Sequence, residues 1–161
     1  MYVLVDKTNR QILKELQVDG RITNRNLARK VAMSPSPCLQ RRKRLENLGV
    51  IRGYQAVLDL SCTAPFALVN VEVTLTQNTL EVSQIFEEYI RTEQSVITAL
   101  SVSGAIDYIL TFCLPTLVDY QRISDRIIEE TGVIKKLTSY AVLSEIKQFD
   151  GYPIDLLLKE K

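Results

Sequence analysis

Four consecutive basic residues, Arg41-Arg42-Lys43-Arg44, stand in a region without acids, since no Asp or Glu occurs between residues 20 and 45. Positive charge without nearby carboxylates attracts phosphate groups, and such binding is strongly salt-dependent. Ser34, Ser36 and Gln40 lie just before this run and can add hydrogen bonds to phosphates or to base edges. The pattern therefore favours a nucleic-acid-binding surface; the alternative is a helix face that is merely solvated.

Three short helical patterns must position these groups. The first begins at Asp6, a good N-cap, and ends at Asp19-Gly20, where glycine can take a left-handed conformation. The second begins at Thr23, and the third begins in residues 34–37, where either serine can cap and the prolines occupy first-turn positions. Gly49 ends the third helix. The apolar residues expected to face inward include Ile12, Leu13, Leu16, Leu27, Ala28, Val31, Cys38, Leu45 and Leu48.

The joint between the second and third helices, residues 32–35, is short enough for a helix-turn-helix. In that motif the last helix lies in the major groove of DNA, with its N-terminal residues at the base edges. Because consecutive residues are about 100° apart on a helix, the four cations spread over more than one face. Arg41 and Arg44 share a side. Arg42 falls near the inner stripe, where we expect its stem to cover the edge of the core.

Charge divides the chain into two parts. Residues 1–60 hold 12 Lys and Arg against 5 Asp and Glu, a net charge of +7, whereas residues 61–161 hold 8 against 14, a net charge of −6. The 161 residues suffice for one ordinary domain or two small ones, and 46% hydrophobic with 24% charged residues is a globular composition. A basic first third and an acidic remainder suggest two units with different partners.

The composition also excludes several classes of protein. The chain has no histidine, so catalytic triads and zinc sites that need imidazole are ruled out. Its three cysteines, Cys38, Cys62 and Cys113, match no zinc or redox spacing, which indicates a reducing, cytoplasmic environment. The N-terminus does not resemble a signal peptide, and no apolar run of about 18 residues is present to span a membrane.

A linker separates the two parts. Residues 50–59 are typical of a strand pair or of a strand entering a linker, and so of a wing or a domain-connecting ribbon. Residues 61–65 are small and polar and end in Pro65, which makes them the best boundary. We therefore predict a helix-turn-helix domain over residues 1–50, a β ribbon linker over 51–65 and a second domain over 66–161.

The second domain shows alternating strand and helix patterns. Strands are predicted around residues 67–76, 95–103, 108–114 and 133–146, with a tight turn from Ser103 to Asp107. One helix begins at Asn78, and another begins at Thr116 and ends at Gly132. The order β-α-β-β-α-β predicts a ferredoxin-like sheet and an α+β fold overall. We expect the sheet face without helices to be an apolar patch that dimerisation covers. The apolar tail, residues 151–158, either docks on the protein or frays.

Together these patterns resemble the Lrp/AsnC family, the feast/famine transcriptional regulators of bacteria and archaea. The likeness runs from about residue 6 to residue 150. It is carried by Ile12-Leu13-x-x-Leu16-Gln17-x-Asp19-Gly20-Arg21, Thr23-Asn24-x-x-Leu27-Ala28, Ser34-Pro35-Ser36-Pro37-Cys38-Leu39, Arg44-Leu45-Glu46-x-x-Gly49-x-Ile51-x-x-Tyr54, Val102-Ser103-Gly104-x-x-Asp107-Tyr108 and Glu145-Ile146-Lys147.

The resemblance implies a winged or plain helix-turn-helix that binds double-stranded DNA and a C-terminal domain that forms homodimers, often tetramers or octamers. It also implies a free amino acid as effector, bound between dimers, no other cofactor and a nucleoid-associated location in the cytoplasm. The residues expected at DNA are Asn24, Arg25, Ser34, Ser36, Pro37, Gln40, Arg41, Lys43 and Arg44. Those expected at the effector are Ser101, Ser103, Gly104 and Asp107, with Thr138, Tyr140 and Val142 contributed by a neighbouring copy.

The chemistry of the Ser103–Asp107 turn suits that ligand. Backbone N–H groups of a glycine-containing turn can hold a carboxylate, and Asp107 can pair with an ammonium group. The alternative for Asp107 is a turn residue bonded to its own backbone. This chain departs from the family at Thr8 and Arg42, where members usually carry apolar residues, at Asn9, where they tend to carry an acid, and at Ser101, where some have a larger apolar residue.

Two other functions compete with a regulator. Ferredoxin-like domains host enzymes, but the chain shows no phosphate loop, paired-carboxylate motif or activated cysteine, so we expect no catalysis. A purely sensing or structural assembly module, with solvated basic helices, is the second alternative. Loss of specific DNA binding in an Arg41→Ala/Arg44→Ala variant would favour the regulator.

Overall fold

The computed structural model describes residues 5–158, which fold into two compact units. One unit comprises the described residues up to Val57 and those from Lys147 onward, and the other spans Leu58–Ile146. The C-terminal segment thus belongs to the helical unit, whereas the predicted boundaries placed it with the sheet. The reason is local packing, because Ile154 and Leu158 lie against the helical core.

Three helices build the first unit: α1 (Lys7–Val18), α2 (Asn24–Lys30) and α3 (Pro35–Asn47). The N-caps follow the sequence closely. The Asp6 carboxylate accepts from the Asn9 N–H at 2.7 Å, Thr23 caps α2, and Ser34 occupies the N-cap of α3 with Pro35 behind it. The buried core contains Ile12, Leu13, Leu16, Ile22, Leu27, Ala28, Val31, Cys38 and Leu45.

Two glycines and one alanine shape the turns of this unit. Gly49 adopts a φ of +69° just after α3, as its predicted role as a stop requires. Gly20 does not adopt the predicted left-handed conformation. A Cβ there would lie 3.3 Å from Cδ1 of Tyr54, so the Tyr54 ring would have to shift by a few tenths of an ångström to admit a side chain. Between α2 and α3, Ala32 has a φ of +52°, a region that costs non-glycine residues about 1–2 kcal/mol.

The second unit is a four-stranded antiparallel sheet with two helices. Its elements are β1 (Ala67–Leu75), α4 (Leu80–Thr92), β2 (Val96–Ser101), β3 (Tyr108–Leu114), α5 (Leu117–Thr131) and β4 (Ile134–Ala141). The strand order is β2-β3-β1-β4, so β2 and β4 form the two edges. The ferredoxin-like order predicted from the sequence is confirmed. Thr79, rather than Asn78, caps α4, because its hydroxyl accepts from the Val82 N–H.

One face of the sheet carries the core. It is made of alternate residues of β1 and β3 and of inward residues of the helices, and contains Val69, Val71, Val73, Leu75, Phe86, Ile90, Tyr108, Leu110, Phe112, Leu114, Ile127 and Val133. Helix α5 begins at its Thr116 cap and ends at Gly132, which has a φ of +64°. Both ends agree with the prediction.

The opposite face is more polar than expected. Thr111 donates to the Asn70 side chain at 3.0 Å, and Tyr140 donates to the Glu72 carboxylate at 3.3 Å. This face is therefore mixed rather than uniformly apolar, because Asn70 and Glu72 of β1 lie on it beside Ile109 of β3 and the exposed Leu100 of β2.

The segments outside the two cores are extended. Residues 52–59 lie in no assigned strand, so the predicted ribbon has no paired strand within the described chain. Strand β4 ends at Ala141, before the predicted end near residue 146. A short last helix, α6 (Ile154–Leu157), then lies against α1, where the Arg10 guanidinium donates to the Leu158 carbonyl and Lys14 pairs with Asp155.

Candidate nucleic-acid interface and effector region

Helix α3 presents a polar stripe on the side opposite its buried Cys38 and Leu45. Ser36, Gln40 and Lys43 are spaced four and three residues apart, so they share this outward side, and all three are exposed. They occupy the N-terminal and middle turns, the part of a recognition helix that reaches base edges. The geometry can therefore bring hydroxyl, amide and ammonium groups to one DNA groove.

Cations next to this stripe carry uncompensated charge. Within residues 5–158, neither Lys43 nor Arg44 forms an ion pair. Arg25 and Arg29, one turn apart on the exposed side of α2, form none with the described residues either. The sequence prediction included Arg25 but not Arg29, although the four-residue spacing of the two arginines places them on the same side of a helix.

The sequence prediction grouped Arg41 with these cations, but the structure places it differently. Its Nη1 donates to the Asp6 carboxylate at 2.5 Å and to the Asn9 side-chain oxygen at 3.0 Å. The hydrogen bond from Arg41 holds the pKa of Asp6 below its usual value. Arg41 is thus engaged by the first turn of α1, because it lies on the flank of α3 rather than on its outward side.

Arg42 lies at the core edge, as expected from the sequence. Its guanidinium carbon is 4.8 Å from the centre of the Tyr54 ring, and its Nε donates to Glu46 at 3.0 Å. Tyr54 donates to the same carboxylate at 2.9 Å. These two donors, Tyr54 first, hold the pKa of Glu46 below its usual value. The one carboxylate on α3 is therefore hydrogen-bonded to Arg42 and Tyr54, and it acts on Lys43 through space without forming an ion pair with it.

Asn24 and Ser34 flank the turn between α2 and α3. The Asn24 amide donates to the Pro35 carbonyl at 2.8 Å, so this residue joins the start of α2 to the start of α3. Its Oδ1 is buried and has no hydrogen-bond partner among the described residues. The prediction of Asn24 as a DNA contact does not match this inward orientation. The Ser34 hydroxyl makes no capping hydrogen bond, so it remains available to a ligand, and Pro37 is exposed beside it.

In the sheet unit, the Ser103–Asp107 turn is fastened to β1. The Asp107 carboxylate accepts from the Leu75 N–H at 2.8 Å, and the Asp107 N–H donates to the Val73 carbonyl at 2.9 Å. Gly104 has a φ of +142°, which requires glycine, and a Cβ there would meet no atom within 4 Å. Asp107 thus has a structural role, although its bond is to a neighbouring strand and not to its own turn.

The other predicted effector residues do not meet within one chain. Ser101 lines a groove of about 430 Å³ between β2 and α4, together with Glu87, Arg91 and Tyr108. Thr138 and Tyr140 belong to β4 at the opposite edge, where they pair with Glu72 and Asn70 on the face without helices. Strands β3 and β1 lie between β2 and β4. Three inter-strand spacings of about 4.8 Å therefore separate the two edges by roughly 14 Å. Val142 follows β4, and its N–H donates to the Leu68 carbonyl.

In the part of the chain that the structure describes, no group of three or more Cys, Asp or Glu side chains could hold a metal ion. Cys38, Cys62 and Cys113 are free thiols. No helix among the described residues is both long and apolar enough to cross a membrane.

Family comparisons agree with this division of the chain. Residues 5–52 match the model for winged helix-turn-helix DNA-binding domains, and residues 68–152 match the Lrp/AsnC ligand binding domain. The chain belongs to the Lrp/AsnC family. It is 35% identical over 144 residues to the leucine-responsive regulatory proteins of Escherichia coli K12 and Klebsiella pneumoniae, covering 89% of this chain and 88% of each relative.

Solved structures of the family superpose well on it. A transcriptional regulator of Neisseria meningitidis in complex with L-Met has a TM-score of 0.87 and 30% identity, over 95% of this chain and 99% of that one. An AsnC family regulator of Agrobacterium tumefaciens has a TM-score of 0.88 and 29% identity, with the same coverage. The Lrp/AsnC chain described here is a DNA-binding transcriptional regulator with a ligand-binding domain, not an enzyme. The helical unit contains no strand among the described residues, so its match to the winged helix-turn-helix model is carried by the three helices and not by a wing.

Proposed function

We propose that this regulator reads operator DNA with the exposed stripe of α3. The observation that carries the proposal is the combination of Ser36, Gln40 and Lys43 on one solvent-facing side, where Lys43 forms no ion pair with the described residues. Gln40 is suited to adenine, since its amide can donate and accept at one base edge. Ser36 and Pro37, in the first turn, complete the surface that faces the bases.

Phosphates are bound by the residues around that stripe. Lys43 ends the stripe, Arg44 lies beside it on the flank of α3, Arg25 lies on α2, and the Ser34 hydroxyl makes no capping hydrogen bond. Contacts of this type fix the protein on the duplex without reading sequence. Arg29 joins them because it lies one turn beyond Arg25 on the same exposed side.

The functional unit in this proposal is a homodimer, with tetramers or octamers built from it. Two copies of α3 would meet half-sites on one side of the duplex, so the operator has approximate two-fold symmetry. Several dimers on one DNA raise avidity and allow the duplex to bend. Action on double-stranded DNA places the protein in the cytoplasm, at the nucleoid.

A free amino acid is the proposed effector. Ser101, Ser103, Gly104 and Asp107 would hold its polar groups, and Thr138, Tyr140 and Val142 of a second copy would complete the pocket. The separation of these groups over opposite edges of one sheet supports a pocket that needs two chains. The L-Met complex of the Neisseria meningitidis regulator supports an amino acid as the ligand class. Such a ligand changes DNA binding only if it prefers one assembly state.

The DNA proposal is tested on fragments selected from genomic DNA by the wild-type protein. At 0.1 M salt, a Lys43→Ala/Arg44→Ala variant should bind these fragments with an affinity lowered about 60-fold per protomer. Each lost phosphate contact lowers the affinity roughly eightfold at that salt concentration. The control is Lys135→Ala/Lys136→Ala, which removes two exposed adjacent cations of β4. Equal losses in both variants would overturn the placement of the interface on α3.

The effector proposal is tested by thermal shift with the twenty amino acids. We expect at least one to raise the melting temperature of the wild type and not that of Asp107→Asn. The Asn side chain still accepts from the Leu75 N–H but cannot pair with an ammonium group. A response that is the same in both proteins would remove Asp107 from the site.

A further inference from the structure

Helices α1 and α3 are joined by a polar contact that the proposed interface does not use. One nitrogen of Arg41 donates to both Asp6 and Asn9, at 2.5 Å and 3.0 Å. The other oxygen of the Asp6 carboxylate accepts from the Asn9 N–H, at 2.7 Å, as the N-cap of α1. The acceptor is therefore held in place by the helix that it caps as well as by Arg41.

The surroundings of Arg41 keep it in this position. The side chains of Arg41 and Asp6 are 36% and 52% exposed, so the pair lies at the rim of the unit and not in open solvent. Pro37, Gln40 and Arg44 line the same cleft beside it. If Arg41 turned outward to a phosphate, Asp6 would lose its counter-charge, and the carboxylate would lie close to the DNA.

We infer that Arg41 is a positioning residue, which Asp6 and Asn9 hold so that α3 keeps one rotation against α1 and aims the base-reading Gln40 at the DNA. This inference rests on the proposed interface of α3. Asp6 and Asn9, which do not face the DNA, would then contribute to operator specificity. Arg41 itself would not be a phosphate contact.

The two roles of Arg41 differ in their salt dependence. Each phosphate contact adds about 0.9 to the slope of log K against log salt on duplex DNA. A positioning residue adds nothing to the slope, but its loss displaces a base-reading side chain. An impaired base contact lowers the affinity about tenfold, and only for the specific site. Loss of a phosphate contact instead weakens binding to all sequences alike.

The experiment compares Arg41→Gln with Lys43→Gln, which removes the same charge two residues along α3. Binding is measured by fluorescence anisotropy at several salt concentrations, on a selected operator and on unrelated duplex DNA. For Arg41→Gln we expect an unchanged slope, about tenfold weaker operator binding and little change on unrelated DNA. For Lys43→Gln we expect a shallower slope on both DNAs. A slope for Arg41→Gln that falls as it does for Lys43→Gln would overturn the inference and leave the α3 interface intact.

A second variant removes the acceptor and keeps the helix cap. Asn is as good an N-cap as Asp, so Asp6→Asn deletes the charge beside Arg41 without uncapping α1. Operator preference should fall here too, with the slope unchanged. The control is Asp19→Asn, which removes one exposed acid from the same unit away from α3 and should leave operator preference unaltered. A steeper slope in Asp6→Asn but not in Asp19→Asn would mean that a released Arg41 binds phosphate, and would contradict the inference.

The fold of each variant is checked by its circular dichroism spectrum and melting temperature, and binding is measured well below that temperature. A purely structural role for Arg41 would lower the melting temperature without changing the ratio of operator to unrelated binding. That result would also overturn the inference. If Lys43→Gln leaves the slope unchanged, the proposed interface itself fails, and the inference fails with it.

Discussion

The two units assemble their sites in different ways. In the helical unit, Ser36, Gln40 and Lys43 come from 8 consecutive positions of one helix and share one surface of a single chain. In the sheet unit, Ser101 and Tyr140 belong to opposite edge strands. In the proposed function, the DNA contacts of each protomer come from one chain, whereas the effector contacts need a second copy. Ligand binding can therefore report on oligomeric state in a way that DNA contacts of one protomer cannot.

The largest expected effect is a loss of stability of the sheet unit. Phe86 is 1% exposed, and its ring centroid lies 4.7 Å from that of Tyr108. Phe86→Ala should lower the free energy of unfolding of the sheet unit by about 3–5 kcal/mol, measured by calorimetry and urea denaturation. Ile85→Ala, on the adjacent half-exposed position of α4, should cost far less. A comparable loss for both variants would contradict the assigned core.

The requirement for two chains can be tested by mixing variants. Asp107→Asn and Tyr140→Ala should each abolish the thermal response to the amino acid. When the two are denatured together and refolded, random mixing should bring an intact Asp107 and an intact Tyr140 of a second copy together in about one quarter of the sites. No recovery, with assemblies of wild-type size confirmed by light scattering, would place both residues in a site within one chain and break the comparison.

A smaller effect distinguishes the structural and ligand roles of Asp107. Asp107→Ala leaves the Leu75 N–H without its acceptor, so it should destabilise the sheet unit by about 1–3 kcal/mol. Asp107→Asn keeps an acceptor and should cost less than half as much. The measurement is urea denaturation without ligand. Equal destabilisation by Ala and Asn would mean that the charge, and not the hydrogen bond, supports the turn.

The smallest expected effect is a gain of stability in the helical unit. Ala32 has a φ of +52°, where a side chain is strained and glycine is not. Ala32→Gly should stabilise this unit by about 0.5–1 kcal/mol, after the larger entropy loss of glycine is included. Calorimetry should show a higher melting temperature with DNA binding retained. A lower melting temperature would show that the turn tolerates alanine without strain.

Local signals made much of the fold predictable. Thr116 and Gly132 bound α5 as expected, since a cap and a left-handed stop act within a few residues of themselves. The outward position of Gln40 follows from helix geometry alone. The polar face of β1 was also visible, because Asn70 and Glu72 alternate with valines, but the expectation of an apolar patch gave them too little weight.

Contacts between distant residues were not predictable in this way. Asp6 and Arg41 are 35 positions apart, and only the packing of α1 against α3 brings their side chains together. The tail is a similar case. Ile154 and Leu158 are ordinary apolar residues in sequence, and the core that they complete was built by residues more than a hundred positions earlier.

The return of the chain to its starting unit has a consequence for biosynthesis. The polypeptide leaves the helical unit after Val57 and rejoins it at Lys147, having formed the whole sheet unit in between. Tyr152 closes against Gln17 only then, its N–H donating to the Gln17 side chain at 2.7 Å. A nascent regulator therefore lacks these contacts of its DNA-binding unit until residues 147–158 have been synthesised, so that unit is completed only after the whole sheet unit has been made.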